Sequence, residues 1–300
     1  MPVAEAAPLV SVVLPTYNRA DVLGRAVHSV LGQTREALEL IVVDDASADG
    51  TLSLLASVAD PRLRVVRLPS RVGPGAARNA GIAAARGDLF AFQDSDDEWL
   101  PDKLARQVAL LAASDSEVGW IGGSYVVAHP GGHELVMSDN LVHGRPYDED
   151  LVDGRPFVTP TWLVRRDALA AAGPFREDLE NLEDWDLIFR LAAVCRFRAV
   201  GPVVLVKHGS HDSLFGDTSR LVGAYEKVLD DHRARFAAHP AAHARHYVEL
   251  GRIHAARGDR AAARRMLRKA MALGPRRPDA YALLAATWAP DRVLHRVARA

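Results

Sequence analysis

The chain has 300 residues, 49% of them hydrophobic, a formal net charge of −1 and one cysteine. That length allows one large domain, or a medium one with an appendage, around a real apolar core. The near-zero charge argues against a general binder of nucleic acid or anionic membrane, the lone Cys195 excludes an intramolecular disulfide framework and fits a reducing cytosol, and no apolar stretch approaches the roughly 20 residues of a spanning helix.

Residues 1–8 read as a short disordered leader. Val10 to Leu14 is an apolar strand that ends in Pro15-Thr16-Tyr17-Asn18-Arg19, and Asp21 is placed to cap a helix whose apolar positions include Leu23, Ala26, Val27 and Val30. Leu38 to Val43 is a second strand, ending in Asp44-Asp45. A helix through Leu52 and Leu55 and a strand from Leu63 to Val66 follow, then a glycine-rich run from Gly73 to Gly81 that leads into another helix. This run has neither the Walker pattern nor the dinucleotide-binding glycine spacing. Gly75 and Gly81 serve close packing of a helix on the sheet, or else the segment faces an anionic ligand through Arg78. Leu89 to Phe92 is a further buried strand, and it breaks into Asp94-Ser95-Asp96-Asp97. Strands alternating with helices at this spacing predict an α/β fold with a Rossmann-like, mostly parallel sheet flanked by helices. Ligands bind beyond the carboxyl ends of such strands, so Tyr17, Asp44, Asp45, Asp94 and Asp96 gather along one edge.

Asp94, Asp96 and Asp97 lie within four residues of each other and repel unless a cation compensates them. Hard oxygen donors at this density suit Mg²⁺ or Mn²⁺, which take few protein carboxylates and complete their shell with phosphate and water. The plainer alternative is a solvated acidic turn before the helix that Pro101 opens. That helix reaches Ala113, and Val118 to Val127 is extended. From His129 to Pro156 the pattern dissolves into Gly, Pro, Asp and His, which reads as a substrate lid. Its His129, His133 and His143 lack metal-ligand spacing and read as solvated. Next, Glu183 and Asp184 open a helix whose Leu187, Ile188 and Leu191 fall at helical spacing, where the positive dipole end favours ionised acids. A short strand over Val203 to Val206 runs into Lys207-His208, with His211 beyond.

Five blocks carry a resemblance: Val10 to Arg19, Val42 to Ser47 with Asp49, Ala77-Arg-Asn-Ala-Gly81, Phe92-Gln-Asp-Ser-Asp-Asp97 and Glu183-Asp-Trp-Asp-Leu187. In their order and spacing they resemble family 2 inverting glycosyltransferases of GT-A fold, over roughly residues 9–213. The resemblance implies that Tyr17 stacks near the nucleobase and that Asp45 accepts from its imide N–H, as suits uracil. Pro15, Thr16, Asp44 and Arg78 line the same nucleotide pocket. Asp94 lies near the ribose or metal, Asp96 is the direct metal ligand and Asp97 a third oxygen donor. Asp184 matches the general base, with Glu183 its competitor, and His208 or His211 matches a polar position that closes over the metal-bound diphosphate. Donor, then, is a nucleotide-sugar, UDP-linked first. Acceptor is a glycan, a lipid-linked glycan or a protein. Specificity falls in Gly122 to Pro160 and around Trp162 and Trp185. A divalent cation, Mn²⁺ or Mg²⁺, is the cofactor, and the setting is cytoplasmic, with peripheral attachment to the inner membrane face open.

Beyond residue 218 strand signals stop, so the expected division is a GT-A domain over 9–218 and an all-α region over 219–300. Tyr247, Leu250, Gly251, Gly258, Ala263, Leu267, Ala270 and Pro275 resemble one tetratricopeptide repeat, and Tyr281, Leu284 and Trp288 begin a partial second. About three repeats are needed for independent stability, so these helices pack on the transferase domain or serve self-association or a protein partner. Two rival functions stand beside the transferase: a sugar nucleotidyltransferase, which lacks its phosphate loop here, and a catalytically silent nucleotide-sugar-binding scaffold.

Overall fold

A computed structural model describes residues 7–129, 132–136, 152, 158–208 and 218–299. The chain divides into two compact units, one of Met1–Asp150 with Pro156–Ser213 and one of Leu151–Arg155 with Leu214–Ala300.

The first unit is an α/β layer built on a curled sheet. Its strands are β1 (Val10–Thr16), β2 (Leu38–Asp44), β3 (Leu63–Arg67), β4 (Leu89–Phe92), β5 (Glu98–Trp99), β6 (Val118–His129), β7 (Gly132–Val136), β8 (Leu163–Arg165) and β9 (Arg196–His208). They run in the order β3-β2-β1-β4-β8-β6-β9-β5, with β7 paired to β6. From β3 to β4 every pair is parallel, as the alternation with α1 (Leu23–Leu31), α2 (Thr51–Ala56) and α3 (Pro74–Ala84) demands. Past β4 the sheet becomes mixed: β8 is antiparallel to both β4 and β6, while β9 runs parallel to β6. The parallel expectation therefore holds for the half of the sheet that carries the acidic ends of β2 and β4. Beyond it, α4 (Lys103–Ala112), α5 (Arg166–Ala172) and α6 (Glu183–Val194) separate the strands.

Several local expectations need correction. Asp21 caps nothing: α1 begins after Val22 with no side-chain cap. The segment read as a lid from His129 starts as a hairpin instead, since Gly132–Val136 pairs antiparallel with β6. The remainder of that segment, and His143 and His211 with it, lies outside the described residues apart from residue 152. The last strand spans Arg196–His208 rather than four residues. Cys195 is half-buried and donates to the Leu191 carbonyl at 3.4 Å, and burial pushes its thiol up to about 11, which suits an unreactive thiol.

Gly81 decides between the two readings of the glycine-rich run. A Cβ there would sit 2.3 Å from Val13 Cγ1 and 3.1 Å from Val43 Cγ2, so Gly81 brings α3 down onto β1 and β2. Gly81→Ala is expected to cost about 1–3 kcal/mol through overpacking. Chemical denaturation measures this directly, and an unchanged midpoint would mean that α3 has room that the packing denies it.

The second unit is helical. It comprises α7 (Thr218–Asp231), α8 (Arg233–Ala237), α9 (Pro240–Ala256), α10 (Arg260–Leu273), α11 (Pro278–Ala286) and α12 (Asp291–Arg299). A tight turn joins α9 to α10: Gly258 takes φ 79°, and the Asp259 side chain caps α10 by accepting from the Ala262 amide at 2.9 Å. Val248, Ala255, Ala263, Leu267, Ala280, Leu283 and Leu294 form its core. Val152 belongs to this unit, where its carbonyl meets His246 Nε2 at 2.5 Å.

Candidate active site

The strand ends of the first unit carry the candidate residues, and a lattice of loop hydrogen bonds fixes them. Thr16 closes β1 and Asp44 closes β2, and the Asp45 amide donates to the Thr16 carbonyl at 2.8 Å. The loops beyond are laced together: the Asn18 amide donates to Ser47 Oγ at 2.9 Å, and the Ala48 amide to Asn18 Oδ1 at 2.8 Å. Asn18 and Ala46 adopt φ of 49° and 62°, a left-handed backbone that costs energy at a non-glycine residue and is held here by that lattice. Asp45 is buried and accepts from the Val72 and Gly73 amides at 2.7 and 2.9 Å, which docks the start of the glycine-rich run against it. Asp44 is wholly buried and accepts from the Ser47 amide. Arg71, which sequence reasoning passed over, places its guanidinium 4.1 Å over the Tyr17 ring.

Arg78 ties the centre together. It is 6% exposed and donates to Glu183 Oε1 at 2.6 Å and to Asp94 Oδ1 at 2.9 Å, bridging residues from three separate blocks. Burial alone would depress its guanidinium, but the Asp94 and Glu183 carboxylates outweigh that and raise it. Gly75 enables this approach, since a Cβ there would lie 3.1 Å from the Arg176 carbonyl and 3.6 Å from Glu183 Cγ. The nucleotide-pocket expectation for Arg78 thus acquires a structural partner: it orders the acidic centre itself.

The carboxylate pair at the α6 N-terminus separates into two different groups. Leu182, at φ 60°, turns the chain into the helix, and its amide donates to Asn181 Oδ1 at 3.0 Å. Glu183 is taken up by Arg78, whereas Asp184 accepts only neutral hydrogen bonds, from the Trp185 amide at 2.7 Å and Thr159 Oγ1 at 3.3 Å. Asp184 keeps part of its surface open, yet its carboxyl sits deep. Burial, reinforced by the neighbouring Glu183 charge, pushes it up to about 6, which reverses the dipole-based expectation of a readily ionised acid.

The acidic turn after β4 also divides. Asp96 is half-buried, its backbone carbonyl accepts from Arg25 at 2.5 Å, and its carboxylate has no protein partner among the described residues. Asp97 is wholly buried and turned toward β9, accepting from Lys207 Nζ at 3.3 Å and the His208 amide at 3.2 Å. The ion pair by itself would lower Asp97. Burial and the nearby Asp94 and Asp96 charges win, pushing it up to about 7. A carboxyl committed in this way braces the turn and does not present a third open oxygen. His208 is engaged likewise, its Nε2 lying 3.1 Å from Glu98 Oε2. Lys207 is the cation that reaches this strand end, and an acidic cluster in need of compensation was the signal that could have found it.

A second missed group lies under the site. Trp99 Nε1, Gln107 Nε2 and Lys103 Nζ donate to the carbonyls of Pro160, Thr161 and Trp162 at 2.9, 2.7 and 3.2 Å, gripping three consecutive residues of the turn that presents Thr159 to Asp184. Lys103 is fully buried, and desolvation lowers its ammonium well below the usual range. Gln107 Oε1 at 2.8 Å and the Trp99 ring at 4.0 Å keep it satisfied. Trp162, expected near the specificity region, is a core residue instead, its ring packed edge-on against Phe92 and Trp120.

Among the described residues no three Asp, Glu, His or Cys side chains converge as a ready-made metal cage. The donor set fits a hard cation held by one or two carboxylates: the Asp96 oxygens are unpartnered, and Asp94 gives only Oδ1 to Arg78. Thr16 Oγ1 and Arg78 Nε are buried without a partner among the described residues, as are few polar atoms in a settled core.

A parallel half-sheet, an acidic turn after its β4 strand and a carboxylate at the start of α6 are the arrangement of a GT-A fold. The chain belongs to glycosyl transferase family 2, whose family model matches residues 11–171. It is 44% identical over 117 residues to the succinoglycan biosynthesis protein ExoO of Rhizobium meliloti, covering 39% of this chain and 34% of that protein. It is 41% identical over 119 residues to the putative teichuronic acid biosynthesis glycosyltransferase TuaG of Bacillus subtilis, covering 39% and 47%. The chain thus spans a third to a half of the length of these relatives. Among solved structures, TarS of S. aureus in complex with UDP-GlcNAc superposes with a TM-score of 0.63 at 17% identity, over 97% of this chain and 90% of that one. The mannosyltransferase PcManGT of Pyrobaculum calidifontis, in complex with GDP-Man and Mn²⁺, gives 0.63 at 25% identity, over 97% and 84%.

Proposed function

We propose that this chain is an inverting, cation-assisted glycosyltransferase that moves a sugar from a nucleotide-sugar, UDP-linked first, to an acceptor hydroxyl in the synthesis of a surface polysaccharide or glycoconjugate. The observation that carries the reading is the contrast inside the α6 pair. Glu183 is spent on Arg78, while Asp184 has no ion pair and is poised at about 6, where a carboxylate is both ionised near neutrality and basic enough to take a proton. In the reaction, the acceptor oxygen bonds to the anomeric carbon as the bond from that carbon to the diphosphate breaks. The acceptor proton passes to Asp184, and the electron pair leaves on the nucleoside diphosphate. Attack from the face opposite the leaving group inverts configuration.

The same reading gives the binding residues their roles. Tyr17, with Arg71 over its ring, and Asp45 receive the base, while Pro15, Thr16 and Asp44 line the pocket around it. Asp96, with Asp94, would hold a divalent cation, which would neutralise charge on the leaving diphosphate as a Lewis acid. Lys207 and Asp97 brace that turn from behind. The acceptor class stays broad, although one relative, WfgD of Escherichia coli, is named for a diphosphoundecaprenol-linked acceptor. No helix among the described residues is long and apolar enough to cross a membrane, and the reading places the chain in the cytoplasm, peripheral to the inner face. The α9–α10 hairpin with α11 is read as one tetratricopeptide-like repeat and a fragment.

The test is thermal stabilisation by UDP-, GDP-, dTDP- and CDP-sugars, each with and without Mn²⁺. A ligand in hundredfold excess over its Kd stabilises by about 2.7 kcal/mol. Stabilisation by one nucleotide class, dependent on metal and lost in Asp96→Ala, is the expected result. A panel with no shift at all would sink the donor reading, and a metal-independent shift that survives Asp96→Ala would sink the cation site.

A further inference from the structure

The net charge of −1 hides a division. Residues 214–300 carry 17 Lys and Arg against 8 Asp and Glu, whereas residues 1–213 carry 20 against 30. The division falls at the boundary between the two units, so the helical unit is strongly cationic on its own. An averaged charge excludes nothing about a surface that one unit presents.

One of those cations meets an exposed aromatic directly. Among the described residues Trp288 and Tyr281 are the only exposed aromatic side chains, at 59% and 47%, and they stand two helical turns apart along α11 and its end. Arg264 of α10 lays its guanidinium 4.2 Å over the Trp288 ring while donating to Thr287 Oγ1 and O at 2.9 and 2.8 Å. Arg265, next to it in the chain, and Arg268, one turn further along α10, are exposed and form no ion pair among the described residues, as is also true of Arg276 and Arg292. Val293, 40% exposed, adds apolar surface on α12. Other charges of these helices are paired, Arg260 with Asp291 and Arg277 with Asp279.

Rings with an apolar body and a polar tip settle at the headgroup level of a bilayer, and arginine covers apolar surface with its stem while its head stays among phosphates. Nucleic acid would use the same charge, but it gives no reason for Val293 to be exposed in the same unit. We propose that the helical unit docks on an anionic lipid bilayer through Trp288, Tyr281 and the arginines of α10. Such contact sets the enzyme where a lipid-linked acceptor or a growing surface glycan is presented. That purpose rests on the transferase reading, whereas the contact itself does not.

The experiment is sedimentation of the full chain with vesicles of phosphatidylcholine alone or mixed with phosphatidylglycerol, at low and high salt. Partition into the anionic vesicles only, weakened by salt, is expected. The double variant Arg265→Glu/Arg268→Glu should reduce it by about tenfold or more, since each basic residue near the surface contributes separately. Trp288→Ser should weaken it further, by loss of an interfacial anchor. Nucleotide-sugar stabilisation should be unchanged in all these variants, which certifies their folding. Equal partition into neutral vesicles, full binding by the charge-reversed variant, or capture by duplex DNA without vesicle binding would overturn the proposal. Vesicle binding that persists while every nucleotide-sugar fails to bind would sink the transferase reading alone.

Discussion

Asp184→Asn lowers turnover by roughly 10²–10⁴-fold and leaves donor stabilisation intact, because the amide keeps the shape of the site but no longer accepts the acceptor's proton. Both polar contacts of the carboxylate, from Trp185 and Thr159, are donated to it, so the amide oxygen retains one and the fold has no reason to shift. Glu183→Gln behaves differently. It loosens the buried Arg78 contact, and the loss appears in stability as well as in rate. Equal kinetic losses in the two variants, with no difference in melting temperature, would remove the distinction between base and support.

The pH dependence follows from the same carboxyl. With Asp184 at about 6, kcat falls tenfold per pH unit below that value as the base is protonated, and is flat above it on this limb. Stability moves the opposite way. The native value lies above the 3.8 of an unperturbed aspartate, so the folded protein binds more protons than the unfolded chain between the two, and this residue's contribution rises as pH falls from about 6 toward 4. At neutral pH the charged carboxylate in its buried seat therefore costs stability, on the order of 1–3 kcal/mol. Asp184→Asn is expected to melt higher than the parent at pH 7 and to converge with it near pH 4. A variant that melts lower at pH 7 would show that the carboxylate is stabilised where it stands.

How much of this was legible depended on whether a signal was local. The parallel half of the sheet was readable because each apolar run ended in a polar cluster and was followed by a helical period, from Val10–Thr16 through Leu89–Phe92. The mixed half was not. Leu163–Arg165 is three residues long, and its pairing between β4 and β6 depends on packing brought from distant parts of the chain. The position of the candidate residues at strand ends was legible for the same local reason. The roles within Asp94, Asp96 and Asp97 needed the direction of each side chain, which alternates with backbone turn geometry that no composition encodes. Lys103 and Lys207 were missed because a lysine in an otherwise polar stretch looks solvated. Only the fold reveals that one is sealed against Trp99 and the other is brought to Asp97 from 110 residues away.

Arg78→Met is expected to be among the most destabilising single changes in the first unit. The guanidinium is the shared cation of Asp94 and Glu183, and removing one partner of a buried ionic cluster costs about 3–5 kcal/mol, since the remaining charges are left desolvated and facing each other. In a unit of this size that corresponds to a melting temperature lower by roughly 10 °C. Arg78→Lys should recover only part of the loss. An ammonium is a point charge, and it does not span two carboxylates that the planar fork meets at 2.6 and 2.9 Å. The double variant Arg78→Met/Glu183→Gln separates the causes. If uncompensated charge is the penalty, neutralising Glu183 restores much of the melting temperature and the two changes are strongly non-additive. If the loss is instead the packing of the Arg78 stem against Phe175, whose ring lies 5.4 Å from the guanidinium, the double variant melts no higher than Arg78→Met alone. The charge account also requires Mn²⁺ to raise the melting temperature of Arg78→Met by more than it raises that of the parent, because a cation at Asp94 and Asp96 then replaces the one that was removed.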